Sequence, residues 1–357
     1  MRTGIANLPL HYGRAPKWLF EKMVRLGREI SLAIVNEFSP QVYLERLADP
    51  FWFQSFGCVL GFDWHSSGVT TTVCGALKMG LTGLEKETGI FLAGGKGRAS
   101  RKTPQEIENF GQRYSFSAQP LVYASKMSAK VDNSAVQDGY QLYHHSFFGT
   151  IDGKNWAVVQ QGMSANKFSG WARRYHWLSE KVTDFVCEPH SGIIADQKGE
   201  TLNLIAEESN QTRLISSQLA QEKPEKLITL LEKIQNLDLP CGHEIKINNL
   251  KKESLNRIFL KTYQKQPENF EQLLGIYGVG PKTIRALSLI SELIYGTKPS
   301  YQDPAKFSFA HGGKDGHPYP VNQETYEKSI EILHQAIKKA KIGRREKIEA
   351  IRQLRVL

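Results

Sequence analysis

The segment Gly278-Val-Gly280-Pro-Lys282-Thr283, set between two apolar stretches, constrains this 357-residue chain more than any other. Gly278 and Gly280 permit positive φ and leave no side chain over a turn, and Pro281 stands at the one helical position where a missing N–H is not felt. Ahead of the turn Asn269 is placed to cap a short helix; after it Ile284, Leu287, Ile290, Leu293 and Ile294 recur at helical spacing. The spacing predicts helix, tight turn and helix over residues 269–295. Backbone N–H groups at the start of the second helix then lie open to an anion, and a nucleic-acid phosphate is the natural one.

Charge agrees with that prediction. The formal net charge is +10 and the sequence pI about 9.3, which favours a polyanionic partner. From residue 221 onward the chain carries 23 Lys+Arg against 16 Asp+Glu, so most of the excess lies with the glycine turn. A content of 40% hydrophobic and 23% charged residues is that of a globular protein. Cys58, Cys74, Cys187 and Cys241 lack the paired spacing of a zinc site or redox dithiol and are expected to be reduced. No apolar run reaches the ~18–20 residues of a membrane span, and the N-terminus has no signal-like pattern, so the expected location is cytoplasmic.

The turn resembles the helix-hairpin-helix of DNA-repair glycosylases, matching it residue for residue from Gly278 to Thr283. The resemblance implies sequence-independent contact with the DNA backbone by Gly278, Val279, Gly280, Lys282, Thr283 and Arg285, with a monovalent ion held on turn carbonyls in such hairpins. In members with base-excision activity, the lysine two places after the second glycine is the nucleophile, assisted by an aspartate about a helix later. Lys282 occupies that place, and Asp303 and Asp315 are the candidate carboxylates. The chain departs from the pattern after the second helix, where Gly296-Thr-Lys-Pro-Ser-Tyr-Gln separates it from Asp303. Lys282 therefore has two open roles, phosphate clamp and Schiff-base nucleophile.

Elsewhere periodicity predicts helices from Lys17 and over Pro40–Leu47, and an aromatic-rich run from Asp49 that reads as core. Within that run Asp63 and His65 could share a metal or a proton, or serve as hydrogen-bonding structure. Lys96, Arg98, Arg101 and Lys102 lie in a basic, glycine-rich loop without nucleotide-binding spacing. Thr103-Pro-Gln-Glu106 has the form of a capping box. Gln141–Ile151 and Trp156–Met163 read as a hairpin with a two-residue Asp152-Gly153 turn, in which adjacent His144 and His145 must face opposite sides. Trp171-Ala-Arg173-Arg174-Tyr-His176-Trp177 combines cations and aromatics, so Arg173 and Arg174 are candidate DNA contacts, weighed against a solvated arginine pair. Helices are expected at Leu202–Leu219, Lys223–Ile234, Ser254–Lys265, Gln323–Lys339 and Arg344–Arg352. The fold class is thus α+β, with a mixed α/β domain over 1–200 and an all-α domain over 201–357.

The opening residues, the Asp49 run, Ala172–Ser179 and the Phe309-Ala-His311 to His317-Pro-Tyr run resemble the family known as domain of unknown function 763 over nearly the whole chain. That resemblance implies architecture and no activity. Three function classes follow from the residues: a lesion-directed DNA glycosylase/AP lyase using Lys282; a divalent-metal nuclease using Asp63, His65 and some of His144, His145, His176 or Glu188; and a noncatalytic DNA-binding adaptor.

Overall fold

A computed structural model describes residues 15–62, 68–164, 171–195, 198–234, 252–305 and 323–356. Four helices open the chain: α1 (Lys17–Glu37), α2 (Pro40–Ala48), α3 (Pro50–Val59) and α4 (Gly68–Leu81). A one-turn α5 (Glu85–Thr88) leads into β1 (Ile90–Lys96), and α6 (Thr103–Tyr114) and α7 (Gln119–Lys130) follow. Then come β2 (Val136–Gln137), β3 (Tyr140–Thr150), β4 (Trp156–Ser164), β5 (Ala172–Leu178), β6 (Gly192–Ile194) and β7 (Leu202–Asn203). Helices complete the described chain: α8 (Asn210–Ala220), α9 (Pro224–Ile234), α10 (Lys252–Lys265), α11 (Phe270–Gly275), α12 (Pro281–Tyr295), α13 (Gln323–Lys339) and α14 (Arg344–Val356).

Local chemistry explains several of these limits. Ser39 Oγ accepts the Val42 N–H at 3.2 Å and Pro40 opens α2; Asp49 Oδ1 accepts the Phe51 and Trp52 N–H groups at 2.8 and 3.1 Å and Pro50 opens α3. Every residue of α3 from Trp52 to Val59 is buried, as a helix apolar on all sides must be. The core expectation for this run holds as far as Phe62; Asp63 and His65 lie outside the described residues.

At the centre is a five-stranded sheet of order β1-β3-β4-β5-β6, antiparallel throughout. Alternation along each strand divides its side chains between two cores. Phe91, Phe147, Val158 and Trp177 join one apolar cluster, while Leu92, Phe148, Val159 and Leu178 join the other. Helices α6 and α7 cover the first face, and α8 to α12 extend the same core behind them, through residues such as Ile107, Leu121, Phe259, Leu273 and Leu287. Helices α1 to α4 form the layer on the second face, with α13 and α14 packed on the outside of α1 and α3, through Ile30, Leu44, Phe53, Leu77 and Leu333.

The fold is mixed α+β. Each apolar cluster draws residues from both sides of residue 200, where the sequence reading places a domain boundary. Three local expectations are corrected. Leu202 and Asn203 pair with β2 as a strand, so helix begins only at Asn210. Asp152-Gly153 sits in a five-residue connection between Thr150 and Trp156, where Asp152 Oδ1 accepts the Lys154 N–H at 3.1 Å. Glu106 does not close a capping box; its Oε2 accepts the Gly94 N–H at 2.9 Å and the Lys78 ammonium at 2.6 Å, tying α6 to β1 and α4. Cys58, Cys74 and Cys187 form no disulfide. No helix among the described residues is long and apolar enough to cross a membrane.

Candidate functional site

Asn269 caps α11 as expected, its Oδ1 accepting the Gln272 N–H at 2.9 Å. Phe270, Leu273 and Leu274 bury the short helix, and the chain then turns so that the Val279 N–H donates to Ile276 O at 3.1 Å. Gly278 has φ +99, a conformation that favours glycine, and a Cβ there would come within 2.7 Å of Ile258 Cδ1, the end of a side chain that would have to shift. Gly280 differs. Its backbone is extended, with φ −146, and an added Cβ would meet nothing within 4 Å.

Val279 is buried and pins the turn to the core, while Gly278 and Lys282 are exposed and Gly280 is half-buried. Pro281 is the first residue of the fifteen-residue α12, and Gly280 supplies no side-chain cap. The positive end of the helix therefore opens beside a glycine that presents only backbone. Tyr277, one residue before the turn, is 88% exposed, and the Lys261 ammonium lies 5.3 Å from its ring centroid. Thr283 is buried and Arg285 half-buried, with burial lowering the pKa of the Arg285 guanidinium. The residues that present themselves outward are Tyr277, Gly278 and Lys282, with Lys261 beside them.

The underside of the turn is held by earlier parts of the chain. Lys130, at the end of α7, donates to Val279 O at 2.5 Å and to Ile276 O at 3.5 Å; Gln137 of β2 donates to Pro281 O at 3.0 Å; and the Tyr123 hydroxyl reaches Glu271 of α11. Burial lowers the Lys130 pKa. The carbonyls on which a monovalent ion was expected thus already face an ammonium. Periodicity could not single out Lys130, Gln137 or Lys261, since each meets the turn only through tertiary packing. Tyr277 carried one signal, an aromatic beside a glycine turn.

The other expected site residues are placed elsewhere. Asp303 receives Arg173 in a bidentate pair, at 3.1 and 2.6 Å, and also the N–H groups of Gly199 and Ala305 at 3.0 and 2.9 Å. Its lone pairs are engaged in holding Arg173, which does not suit a carboxylate meant to assist Lys282. Asp315 lies outside the described residues. Arg173 and Arg174 are 1% and 0% exposed, so they are corrected from surface contacts to interior structure. Arg173 also reaches Asp138 at 2.9 Å and stacks 4.8 Å from the Tyr140 ring centroid; Arg174 donates to Gln54 at 2.9 Å and lies 4.8 Å from the Phe53 ring centroid. They are buried because the sheet is covered on both faces: along β5, Trp177 joins one core and its neighbour Leu178 the other.

His144 and His145 do face opposite sides of the sheet. His145 is buried between Ser125 Oγ at 2.9 Å and Gln160 Oε1 at 2.7 Å, and Gln160 in turn donates to Asp132 at 2.6 Å. His144 Nε2 lies 3.0 Å from Ser146 Oγ, and its Nδ1 is buried without a hydrogen bond. Burial, with His145 and Lys96 nearby, pushes the His144 pKa down to about 3; burial likewise lowers His145, and lowers His176 well below the ordinary range with help from Arg174. Among the described residues no group of three or more His, Cys, Asp or Glu side chains is arranged to hold a metal ion.

The family described as "Protein of unknown function (DUF763)" matches residues 4–321. The chain belongs to the DUF763 family. Searches of curated proteins and of solved structures found no match. In this DUF763 member the exposed glycine turn and the buried arginine strand, read alike from composition, are therefore separated by geometry alone.

Proposed function

We propose that this is a DNA-binding protein of DNA repair or processing that grips the phosphate backbone at the Gly278–Thr283 turn. The observation that carries this reading is the open face of Gly280 at the uncapped start of α12, with exposed Lys282 next in line. A phosphate approaching there meets backbone N–H groups, the positive end of a helix dipole and an ammonium, and no side chain obstructs it. The likeness of Gly278–Thr283 to a helix-hairpin-helix and the basic excess after residue 220 support the same partner. Contacts of this kind position DNA without reading bases, so affinity is sequence-independent and falls steeply with salt.

Of the two roles open to Lys282, the phosphate clamp fits its surroundings better, because Asp303 is engaged with Arg173. Tyr277 adds a flat surface against which a base or sugar can rest. Titration of a short duplex at several salt concentrations tests the reading, with Lys282→Gln beside the wild type. The wild type should bind different sequences alike. Absence of binding at low salt would overturn the proposal, and a covalent adduct trapped by borohydride on abasic DNA would restore the lyase role.

A further inference from the structure

Five of the eight residues from Lys338 to Arg345 are cationic, and all five are exposed. They surround the turn that joins α13 to α14. The carboxylates nearby fasten this turn from beneath. Glu346 Oε2 accepts the Gly343 N–H at 3.0 Å and pairs with Arg25 of α1 at 3.3 Å, and Glu37, the last residue of α1, pairs with Lys339. The Lys347 ammonium donates to Lys338 O at 2.7 Å and so closes the end of α13. Leu333, Ile337 and Ala350 anchor both helices in the core on the second face. The turn is held in place, while Lys338, Lys341, Arg344 and Arg345 face solvent with no carboxylate in ion-pair contact among the described residues.

Helix energetics does not account for this placement. Lys338 and Lys339 suit the negative end of α13, but Arg344 and Arg345 are the first two residues of α14, where the dipole is positive and disfavours a cation. Lys341 adds a like charge in the connection. A surface that gathers cations against both the dipole and their mutual repulsion is stabilised by a polyanion. Ile342 is half-buried and no aromatic residue stands between Lys338 and Arg345, so the turn lacks both the apolar face of a membrane-binding helix and the aromatic anchor of a protein interface. A nucleic-acid backbone asks for neither, because its repeating phosphates are bound through charge.

We propose that the α13–α14 turn is a second nucleic-acid surface, which binds duplex phosphates through Lys341, Arg344 and Arg345. It lies across the sheet from the glycine turn, since α11 and α12 belong to the core on the first face and α13 and α14 to the core on the second. One chain can therefore hold two duplex segments at once. The surface itself stands without the proposal for Gly278–Thr283, and the joining of two segments rests on it.

The test titrates a short labelled duplex with the full chain at several salt concentrations, beside a triple variant carrying Lys341→Gln, Arg344→Gln and Arg345→Gln. The triple variant should unfold at the wild-type temperature or above it, because the charges it loses are unpaired. Its duplex affinity at low salt should fall about tenfold or more, and its slope of log affinity against log salt should shrink by about three. Arg344→Lys with Arg345→Lys keeps the charge and should bind as the wild type does. In a second arm, protein loaded on an immobilised duplex should capture a free labelled one, and both the triple variant and Gly280→Leu should lose that capture. Failure of the wild type to capture removes the joining of two segments. Loss in the triple variant beside normal binding by Gly280→Leu keeps this surface and removes the glycine turn. Unchanged affinity in the triple variant overturns the inference, whatever Gly280→Leu does. Tighter binding to phosphatidylserine vesicles or to polyglutamate than to duplex also overturns it, in favour of a membrane or an acidic protein.

Discussion

The turn at Gly278–Lys282 and the strand Ala172–Leu178 both carry basic residues beside aromatics, yet one faces solvent and the other lies at the centre of the molecule. Backbone makes the difference. In the turn, glycine and proline end one helix and start another, which strips side chains from the surface and leaves Lys282 outside. In β5, neighbouring strands satisfy the backbone and packed layers cover both faces, so every side chain is buried and the arginines need interior partners. The same composition makes a contact surface in one place and a buried ion network in the other.

The comparison breaks first, and with the largest effect, at Arg173. Removing it leaves Asp138 and Asp303 buried without their shared cation, and Arg173→Ala should lower stability by about 3–5 kcal/mol in denaturant titration. Duplex affinity of the folded protein should stay near wild type. Weakened DNA binding without loss of stability would return Arg173 to the surface role.

Acid comes next. His144, His145 and His176 have pKa values lowered by burial, that of His144 to about 3, so the unfolded chain takes up protons from about pH 6.5 downward while the folded chain does not. Stability should therefore fall as pH drops from about 6.5 toward 3, by up to ~1.4 kcal/mol per pH unit for each histidine. Denaturant midpoints across that range measure the slope, and replacing His144 with Gln should flatten it. A midpoint independent of pH over the range would mean that these histidines are not held neutral in the interior.

Lys130→Met should come third. Losing a charged donor beneath Val279 and Ile276 should cost about 1–2 kcal/mol, and it should loosen the turn enough to weaken duplex binding several-fold. If potassium restores that binding while sodium-free, potassium-free buffer leaves the wild type unaffected, the ammonium is standing where a metal cation can go. The smallest effect belongs to Lys282→Gln, where the slope of log affinity against log salt should shrink by about one and stability should not move.

Much of this contrast could be read before folding, and the unread part has a physical cause. Caps and prolines are local, so Asn269 announces α11 and Gly278–Pro281 announces the turn, and Ser39 and Asp49 carry the same kind of signal for α2 and α3 although only periodicity is read there. Strand alternation likewise separates His144 from His145. The failures are tertiary. Glu106 has a nearer partner in Gly94 than its own helix start, Leu202 is taken up by β2, and Asp303 lies in sequence where a catalytic carboxylate is expected but in space against Arg173. No local pattern brings Lys130 to the turn, or Asp132 to His190 from 58 residues away.

The central claim rests on Gly280 and is tested most directly by comparing Gly280→Leu with Gly278→Leu in thermal unfolding and in duplex titration. At Gly278 a side chain meets positive φ and Ile258, so stability and binding should fall together. At Gly280 there is room, so Gly280→Leu should unfold as the wild type does while losing duplex affinity by about tenfold or more, equivalent to ~1.4 kcal/mol. A folded Gly280→Leu protein that binds DNA with undiminished affinity would contradict phosphate contact at this turn.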